Sequence, residues 1–465
     1  MRHFFIIALV LLFVEINAQQ IRYLTLSDAV ETALANAVEI KNLKLDEQIQ
    51  MALNQEIKAT ALPQVSGTGQ LTYYTNLPKI PFPTSDLSVY KVLAREGVKD
   101  ASGNLISESN STFGIQSVAF IAPLNYQFGI GIQQLLFQPD IFIALQAREK
   151  VLEFARNNTA IATQKVKESV QKAYYSVLIA QNQKSVLNET MKRLEKLKGE
   201  MTQMFNNGFA EKLDIDKLSV TVNNTKAAQN QTNNGINISM AVLKSTLGIS
   251  QNDSLVLTDQ LDINNLQAEI LQNETELNYE NRSEFNLLQT TQKLQNLEVQ
   301  RFKLSYLPTI SAFYQLQRSG QRNKIYDING SGPWFAFTTG LLGLSINQTI
   351  YDSGQKKQKI QQSKLKVQKL ENSLLQLKQF IDFENVTSKN SLKNAVLNLE
   401  VQKNNMELAE SVFNTTTKKY QAGLGSSFEL IQTDTELQRA LGSYFQALYD
   451  AYIAKVNYVK SIGKL

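Results

Sequence analysis

Two stretches of the chain predict helices longer than an ordinary globular domain accommodates. Between Asp140 and Asn206 there is no proline and only one glycine, Gly199, so at 1.5 Å per residue this stretch predicts roughly 100 Å of helix. Apolar residues within it recur at the four–three spacing of a coiled-coil seam: Val166, Val170, Ala173, Val177 and Ala180. The second half of the chain repeats the spacing with Leu370, Leu374, Leu377 and Ile381. A rod-like structural coiled coil is the simplest protein that has such helices.

Four further segments alternate between apolar and polar residues with a period of two, which is typical of strands with one wet face. Their apolar positions are Val65, Leu71 and Tyr73, then Tyr126, Phe128, Ile130 and Ile132, then Ile310, Ala312, Tyr314 and Leu316, and finally Leu342, Leu344 and Ile346. Phe313 breaks the alternation in the third segment. A soluble β-sandwich and a membrane β-barrel both account for this pattern.

The N-terminus has the features of a secretory signal peptide covering residues 1–18. Arg2 precedes the apolar run from Phe4 to Val14, which is too short to span a bilayer as a helix, and Ala18 offers a cleavage site. A buried N-terminal helix is the alternative. Because no later segment is apolar for long enough to be a membrane helix, we expect any membrane span of this chain to consist of strands.

The composition excludes most kinds of enzyme site. The chain has no cysteine, and its single histidine, His3, lies in the predicted signal peptide. The mature chain therefore lacks thiolate nucleophiles, disulfides and the ligands of ordinary zinc or haem sites, and it cannot build a Ser-His-Asp triad. A net charge of +5 provides no basic stripe for nucleic acid, and no glycine-rich phosphate loop is present. We predict no enzyme activity, no catalytic residue, no metal and no cofactor.

Short segments recur in the same order in both halves of the chain. Leu62-Pro63 parallels Leu307-Pro308, residues 134–138 parallel residues 348–352, and residues 205–208 parallel residues 420–423. This duplication predicts a first structural repeat at 19–248 and a second at 272–465, joined by a polar linker at 249–271. Each repeat contains a helix, two strands joined by a long loop, and a long helical hairpin.

If the four strands span a membrane, their number requires several copies of the chain to form one barrel. Four strands cannot close a barrel, and an open sheet edge cannot lie in hydrocarbon. Three copies would supply twelve strands around a water channel. The predicted fold class is therefore an α+β membrane protein, a trimeric 12-stranded β-barrel with four strands per protomer, continued by a long α-helical coiled-coil barrel. Residues 77–123 and 318–334 are then loops at the outer end, where Trp334 and Phe335 are candidates for an aromatic girdle, with simple packing of Trp334 as the alternative.

Two segments resemble TolC-like outer-membrane efflux proteins. Leu24-Thr25-Leu26, followed by Ala29-Val30, Ala33-Leu34 and Asn36, is similar to the opening helix of that family, and Thr25 with Asp28 suits a capping box. Residues 281–285, Asn-Arg-Ser-Glu-Phe, resemble the family's Asn-Arg-Pro-Glu/Asp-Leu segment, with Ser283 in place of proline. The resemblance covers about residues 20–463. It implies a homotrimer in the outer-membrane lipid of a Gram-negative cell, with a large periplasmic helical portion.

The resemblance also implies a function. It indicates a passive outer-membrane exit duct of a tripartite efflux system, opened at its periplasmic tip by an adaptor (membrane fusion) protein and an inner-membrane RND or ABC transporter. An outer-membrane duct of type I protein secretion is the alternative within the transport class. A secreted coiled-coil structural protein is the alternative from a different class.

The tips of the two helical hairpins are the first candidate functional site. Gly208 and Gly423 follow the long helices and predict glycine C-caps before a tight reversal. Residues 422–426 resemble the family's Val-Gly-Leu-x-Ser/Thr tip and residues 207–210 match it more loosely, which implies adaptor contact there. The implied contact residues are Gly208, Phe209, Gly423, Leu424, Gly425 and Ser426. Packing within the hairpin is the alternative for Phe209 and Leu424.

Acidic residues near the tips are the second candidate site. Asp214 and Glu429 each lie six residues beyond a tip glycine, so a trimer would place six carboxylates around the periplasmic gate and attract cations. The alternative is that each acid only favours the dipole of the helix that it begins. Asp216 and Asp434 are further candidates without matched partners. The lysine-rich run at 355–369 indicates a solvated helix face more strongly than a lumen or lipid contact.

Overall fold

The structure, a computed structural model, describes residues 22–84, 89–106, 114–261, 277–322 and 335–465. The predicted signal peptide at 1–18 and part of the predicted linker at 249–271 lie outside these residues. The chain divides into a helical unit, from residues up to 53, 147–299 and 361–465, and a sheet unit, from residues 54–146 and 300–360. Each unit therefore draws on both halves of the chain. Within the described ranges, no helix has both the length and the hydropathy needed to cross a bilayer.

Both halves contain a helix, two long strands and a long helical hairpin in that order, and the first half has further short elements beside them. The helices are α1 Leu26–Asn36, α2 Val38–Thr60, α3 Val89–Arg95, α4 Pro139–Asn206, α5 Lys212–Leu247, α6 Ser283–Leu304, α7 Gln355–Gln421 and α8 Ser427–Ser461, with a 3₁₀ turn at Tyr279–Asn281. The strands are β1 Arg22–Leu24, β2 Gln64–Tyr73, β3 Ile80–Thr84, β4 Gly114–Val118, β5 Leu124–Phe137, β6 Leu255–Leu257, β7 Thr309–Arg322 and β8 Phe335–Asn347.

Both long helices end as the glycines predict. Gly208 and Gly423 adopt left-handed backbone angles, with φ of 83° and 74°. After α4, the amide of Phe209 donates to the Met204 carbonyl at 2.8 Å, and after α7 the amide of Leu424 donates to the Lys419 carbonyl at 2.9 Å. These six-to-one hydrogen bonds are those of a Schellman motif, in which glycine avoids the steric penalty of a Cβ atom. The predicted glycine C-caps are confirmed.

The predicted seam of α4 forms part of a buried core in the helical unit. Val170, Ala173 and Val177 of the seam are buried. They belong to one apolar cluster with residues of α1, α5, β1 and β6, including Ala29, Ala33, Leu243 and Leu247. Helix α1 begins with the predicted capping box, because the Asp28 amide donates to the Thr25 hydroxyl at 3.2 Å and the Asp28 carboxylate accepts from the Thr25 amide.

The two hairpins of the helical unit share a second apolar cluster. It contains Leu194 and Leu197 of α4, Leu218 of α5, Leu399 and Phe413 of α7, and Leu430 and Leu437 of α8. The predicted seam of α7 is less complete, because only Ile381 is buried while Leu370, Leu374 and Leu377 are half-buried. Helix α7 thus packs part of its apolar surface inside the chain and leaves part of it exposed.

The four predicted strand segments form one antiparallel sheet in the sheet unit. Its order is β2-β5-β7-β8, and the register pairs Val65 with Ile132, Ile130 with Leu316 and Tyr314 with Leu342. Strand β7 continues through Arg322, four residues beyond the point where the polar sequence predicts a loop to begin. The predicted start of the loop at Arg318 is therefore wrong. Backbone pairing with β5 continues to Arg322, although the apolar alternation of the sequence has already ended.

Aromatic rings lie over strand glycines across the sheet. A Cβ atom added at Gly320 would lie 2.3 Å from the Tyr126 ring, and one at Gly343 would lie 2.6 Å from the Phe313 ring. These two glycines therefore leave space for a ring on the neighbouring strand. This packing accounts for Phe313, the residue that breaks the alternation of its segment.

The predicted outer loop at 77–123 contains regular structure in its described part. Strands β3 and β4 form an antiparallel pair, with Ile80 opposite Val118 and Thr84 opposite Gly114, and helix α3 lies between them in sequence. The sequence predicted no element here because Pro81 and Pro83 interrupt strand patterns. A two-stranded ladder tolerates proline on an edge, where its missing N–H needs no partner.

Candidate functional site at the hairpin tips and on the sheet

Two acids occupy matched positions in the first turns of α5 and α8, but their surroundings differ. The half-buried Asp214 carboxylate accepts a hydrogen bond from the Glu211 amide at 3.3 Å and a second from the Ser427 hydroxyl, which belongs to the other hairpin. Glu429 is exposed, and its amide donates to the hydroxyl of the N-cap residue Ser426 at 3.2 Å. Both acids lie where a carboxylate favours the helix dipole. Asp214 also joins the two hairpins of one chain, which the sequence did not predict.

Tyr420 adds a buried phenol to the same region. It precedes Gly423 by three residues and is 6% exposed. Burial, followed by the negative charge of Asp214, raises the pKa of its hydroxyl. Sequence reasoning missed both Tyr420 and Ser427, because neither residue has a counterpart of the same type in the first hairpin.

The tip turns expose apolar side chains at matched positions. Phe209 and Leu424, each one residue beyond a tip glycine, are 80% and 82% exposed. Leu213 and Phe428, each five residues beyond, are also exposed, at 55% and 68%. Packing within the hairpin does not cover these side chains. The second pair was missed, although the duplication that matched Asp214 with Glu429 places it one residue earlier. Gly425 also approaches its own hairpin, since an added Cβ would lie 3.2 Å from the Tyr420 amide nitrogen.

The two further acidic candidates have opposite environments. Asp216 is exposed on α5, whereas Asp434 of α8 is 3% exposed, and its Oδ1 atom lacks a hydrogen-bond partner among the described residues. Burial raises the pKa of Asp434 to about 6, against the opposing effects of the Gln438 amide and the Arg193 charge. Arg193 itself pairs with Glu410 at 2.8 Å. Asp434 is therefore a buried acid between helices and not an exposed carboxylate.

The segment at 281–285 contains a buried arginine that ties three helices together. Arg282 is 3% exposed, and its guanidinium contacts Glu284 at 3.3 Å and Glu384 of α7 at 2.8 Å. It also donates to the Ser461 carbonyl, at the end of α8, at 3.0 Å. These contacts give the segment a structural role. The lysine-rich run at 355–369 is largely exposed, in keeping with a solvated helix face.

The sheet has one apolar and one polar face. The apolar face carries the odd-numbered residues of β2 and the even-numbered residues of β5, β7 and β8, and its Val65, Leu342 and Ile346 are largely exposed. The polar face carries the even-numbered residues of β2, the odd-numbered residues of β5 up to Leu135, and the odd-numbered residues of β7 and β8. Phe335 pairs with Gln321 and so lies on the polar face, which differs from the predicted membrane girdle. Trp334 lies outside the described residues.

No group of three or more His, Asp or Glu side chains suited to a metal ion occurs in the part of the chain that the structure describes.

Comparisons with known proteins agree with this geometry. Residues 289–464 match the family model described as outer membrane efflux protein. No curated protein sequence matches the chain significantly. Among solved structures, the outer membrane protein VceC from Vibrio cholerae has 12% identity and a TM-score of 0.67, covering 94% of this chain and 96% of its own.

Two solved outer membrane channels match the same fold. The CmeC outer membrane channel of Campylobacter jejuni has 12% identity and a TM-score of 0.66, covering 94% of this chain and 85% of its own. The MtrE outer membrane channel of Neisseria gonorrhoeae, described in its open state, has 13% identity and a TM-score of 0.66, with coverage of 94% and 88%. The predicted α+β class is confirmed by this channel fold.

Proposed function

We propose that this chain, whose residues 289–464 match the family model described as outer membrane efflux protein, is the passive exit duct of a tripartite efflux system. Its proposed place is the outer membrane of a Gram-negative cell, and two of the solved structures that share its fold are described as outer membrane channels. The observation that carries the proposal is the sheet, which has an exposed apolar face, a polar face and two unpaired edge strands among the described residues.

A homotrimer resolves the open edges of this sheet. Strands β2 and β8 are its outer strands, and an unpaired edge in lipid leaves backbone hydrogen-bonding groups unsatisfied. Three copies in a ring pair each β8 with the β2 of the next copy, which gives twelve strands with the apolar face toward lipid and the polar face toward water. The exposed apolar residues of α7, including Val386, Leu397, Val401 and Leu408, supply matching surface for neighbouring copies in the helical portion.

Engineered disulfides test the ring, since the natural chain has no cysteine. Thr339→Cys on β8 is combined in turn with Ser66→Cys, Thr68→Cys or Gln70→Cys on β2. Within one chain two strands separate β2 from β8, roughly 15 Å, so a disulfide between them must join different copies. We expect at least one pair to yield covalent dimers and trimers after oxidation in outer membranes.

A matched control comes from the middle of the sheet. Gln127 lies opposite Ser319 within one chain, so the Gln127→Cys, Ser319→Cys variant should form only an internal disulfide. If every β2–β8 pair leaves monomers while this control oxidises fully, the shared barrel is wrong. A mature protein that washes off the membrane would favour a secreted structural protein instead.

The hairpin tips are proposed to dock the adaptor. Phe209, Leu213, Leu424 and Phe428 present exposed apolar surface around two glycine-ended turns, and such surface suits a protein partner. Phe209→Asp and Leu424→Asp should each reduce co-purification with an adaptor encoded beside this gene. Leu45→Asp, on the exposed part of α2, is the matched control. Equal retention of the adaptor by all three variants would exclude the tips as the docking site.

Opening of the periplasmic gate is proposed to separate the two hairpins. The Ser427–Asp214 hydrogen bond joins them within one chain, so it must break if they move apart. In the trimer, Asp214 and Glu429 would also form the predicted acidic ring. We therefore expect Ser427→Ala to increase single-channel conductance, and Asp214→Ala and Glu429→Ala to lower cation preference, relative to Asp46→Ala, an exposed control on α2. Unchanged conductance and ion preference in all three would rule out the gate. The inner-membrane RND or ABC transporter would supply the energy through the adaptor.

A further inference from the structure

The polar face of the sheet carries no charged side chain. The four strands contain no Asp, Glu, Lys or His, and their two arginines, Arg318 and Arg322, occupy apolar-face positions. Amide side chains take the place of charges, with Gln70, Gln127 and Gln133 among those on the first two strands. A wall that repels or attracts ions through fixed charge is therefore absent from this face.

The amides on β7 form a directed chain of side-chain hydrogen bonds. The Gln315 amide donates to the Gln317 carbonyl oxygen at 3.3 Å, and the Gln317 amide donates to the Ser319 hydroxyl at 3.0 Å. Each glutamine has both donors and acceptors, so it can exchange these partners for the amide or hydroxyl groups of a ligand. A charged ligand would gain no counter-charge on this face to offset its loss of hydration.

Aromatic rings lie at one end of the same face. Phe335 and Phe337 on β8 have ring centroids 6.2 Å apart, and both rings are exposed. Phe337 also lines a concavity of about 310 Å³ together with Gln70, Asn125, Gln127 and Gln321. Hydrogen-bonding amides thus lie beside an apolar ring in one depression of the polar face.

We infer that the polar face is a binding track for uncharged solutes that carry amide or hydroxyl groups beside an apolar ring. The inference rests on the proposed duct, in which this face lines the water-filled lumen. It deepens the proposed function by naming a substrate class. The track holds each solute through hydrogen bonds and ring contact, weakly enough for release.

Three phenylalanine derivatives of different charge test the inference. N-acetylphenylalaninamide is neutral, N-acetylphenylalanine is an anion and phenylalaninamide is a cation. Their binding to the detergent-solubilised full chain is measured by saturation-transfer NMR, with empty micelles as the reference for partitioning. We expect the dissociation constant of the neutral probe to be at least about tenfold lower than that of either ion. Each ion loses part of the hydration of its charge on this face and gains no counter-charge in return.

Variants locate the binding on the polar face. Phe337→Ala should weaken binding of the neutral probe about threefold to tenfold, and Gln127→Leu about fivefold, from loss of one ring contact or one hydrogen bond. Leu342→Ala, on the same strand as Phe337 but on the apolar face, should change nothing. Equal binding of neutral and charged probes, or equal weakening by Leu342→Ala, would overturn the inference.

Single-channel conductance of the same preparation distinguishes a failure of the binding track from a failure of the proposed duct. A conducting trimer with no preference for the neutral probe would refute the track and leave the duct intact. A protein that shows the neutral preference and its loss in Phe337→Ala, but never conducts, would support the track and refute the duct.

Discussion

Replacing the buried acid Asp434 should make the protein more stable at neutral pH. Its carboxyl is 3% exposed, and Oδ1 makes no hydrogen bond to any described residue. The charged groups that face it are Arg193 of α4 and, through that arginine, Glu410 of α7. Asp434→Asn keeps the shape of the side chain and removes its charge.

The magnitude follows from the raised pKa. Each pKa unit corresponds to about 1.4 kcal/mol, so a rise from 3.8 to about 6 makes ionised Asp434 cost about 3 kcal/mol above pH 7. Because the folded chain binds the proton more tightly than the unfolded chain, stability must rise as the pH falls from 8 through 6. The gain between pH 8 and pH 5 should be about 1.4 kcal/mol, and it should be complete only below the unfolded pKa.

Chemical unfolding of the full chain in detergent, followed by circular dichroism, measures this effect. The free energy of unfolding is compared at pH 5 and pH 8 for the natural chain, for Asp434→Asn and for the exposed control Asp216→Asn. The difference between the two pH values should shrink by about 1.4 kcal/mol in Asp434→Asn alone. If Asp216→Asn shows the same shrinkage, or if Asp434→Asn lowers stability at pH 8, the assignment of an uncompensated buried charge is refuted.

Three further predictions concern the fold, and two of them include a control substitution. Gly320→Ala should destabilise the assembled sheet by about 1–3 kcal/mol, because the added methyl group would clash with the ring of Tyr126. Gly340→Ala is the control and should be tolerated, since its added Cβ would lie 4.0 Å from the nearest side chain. Both effects are measured as the heat resistance of the detergent-stable oligomer. Gly423→Ala should lower the free energy of unfolding by about 1–2 kcal/mol, because alanine is strained at the positive φ of this position. Gly235→Ala, inside α5, should raise the free energy of unfolding by up to about 1 kcal/mol, because alanine favours a helix interior. A lower free energy of unfolding in both variants would contradict this explanation. Arg282→Ala should destabilise the helical unit by about 3–5 kcal/mol in the same assay, because it leaves buried partners unpaired, and a neutral result would show that these ion pairs are not buried in the assembly.

Local patterns account for the elements that the sequence predicted correctly. The bounds of α4 and α7 follow from the absence of proline and from the tip glycines, since backbone geometry alone ends those helices. The four strands follow from period-two alternation, which depends only on which residues face water. Each of these patterns involves residues that are close together in the sequence, so it can be recognised without knowledge of the fold.

Long-range contacts account for what the sequence missed. Asp214 lies in the first turn of α5 and Asp434 lies about two turns into α8. Both are acids on a tip hairpin, yet Asp214 bonds to Ser427 on the other hairpin and Asp434 is buried opposite Arg193. Phe335 is an apolar residue at a strand end, but its face is fixed by pairing with Gln321. No pattern in the neighbouring sequence predicts which acid is buried or which face of the sheet Phe335 occupies.

The sequence by itself determined the long capped helices, the four alternating strands, the duplicated order of elements and the family resemblance, because each depends on spacing along the chain. The tertiary structure alone decided that the sheet leaves β2 and β8 as its edges, that its polar face is uncharged throughout, and which acids become buried or paired. Those outcomes depend on register and on contacts between residues hundreds of positions apart, and side-chain burial there follows from the packing of several helices at once.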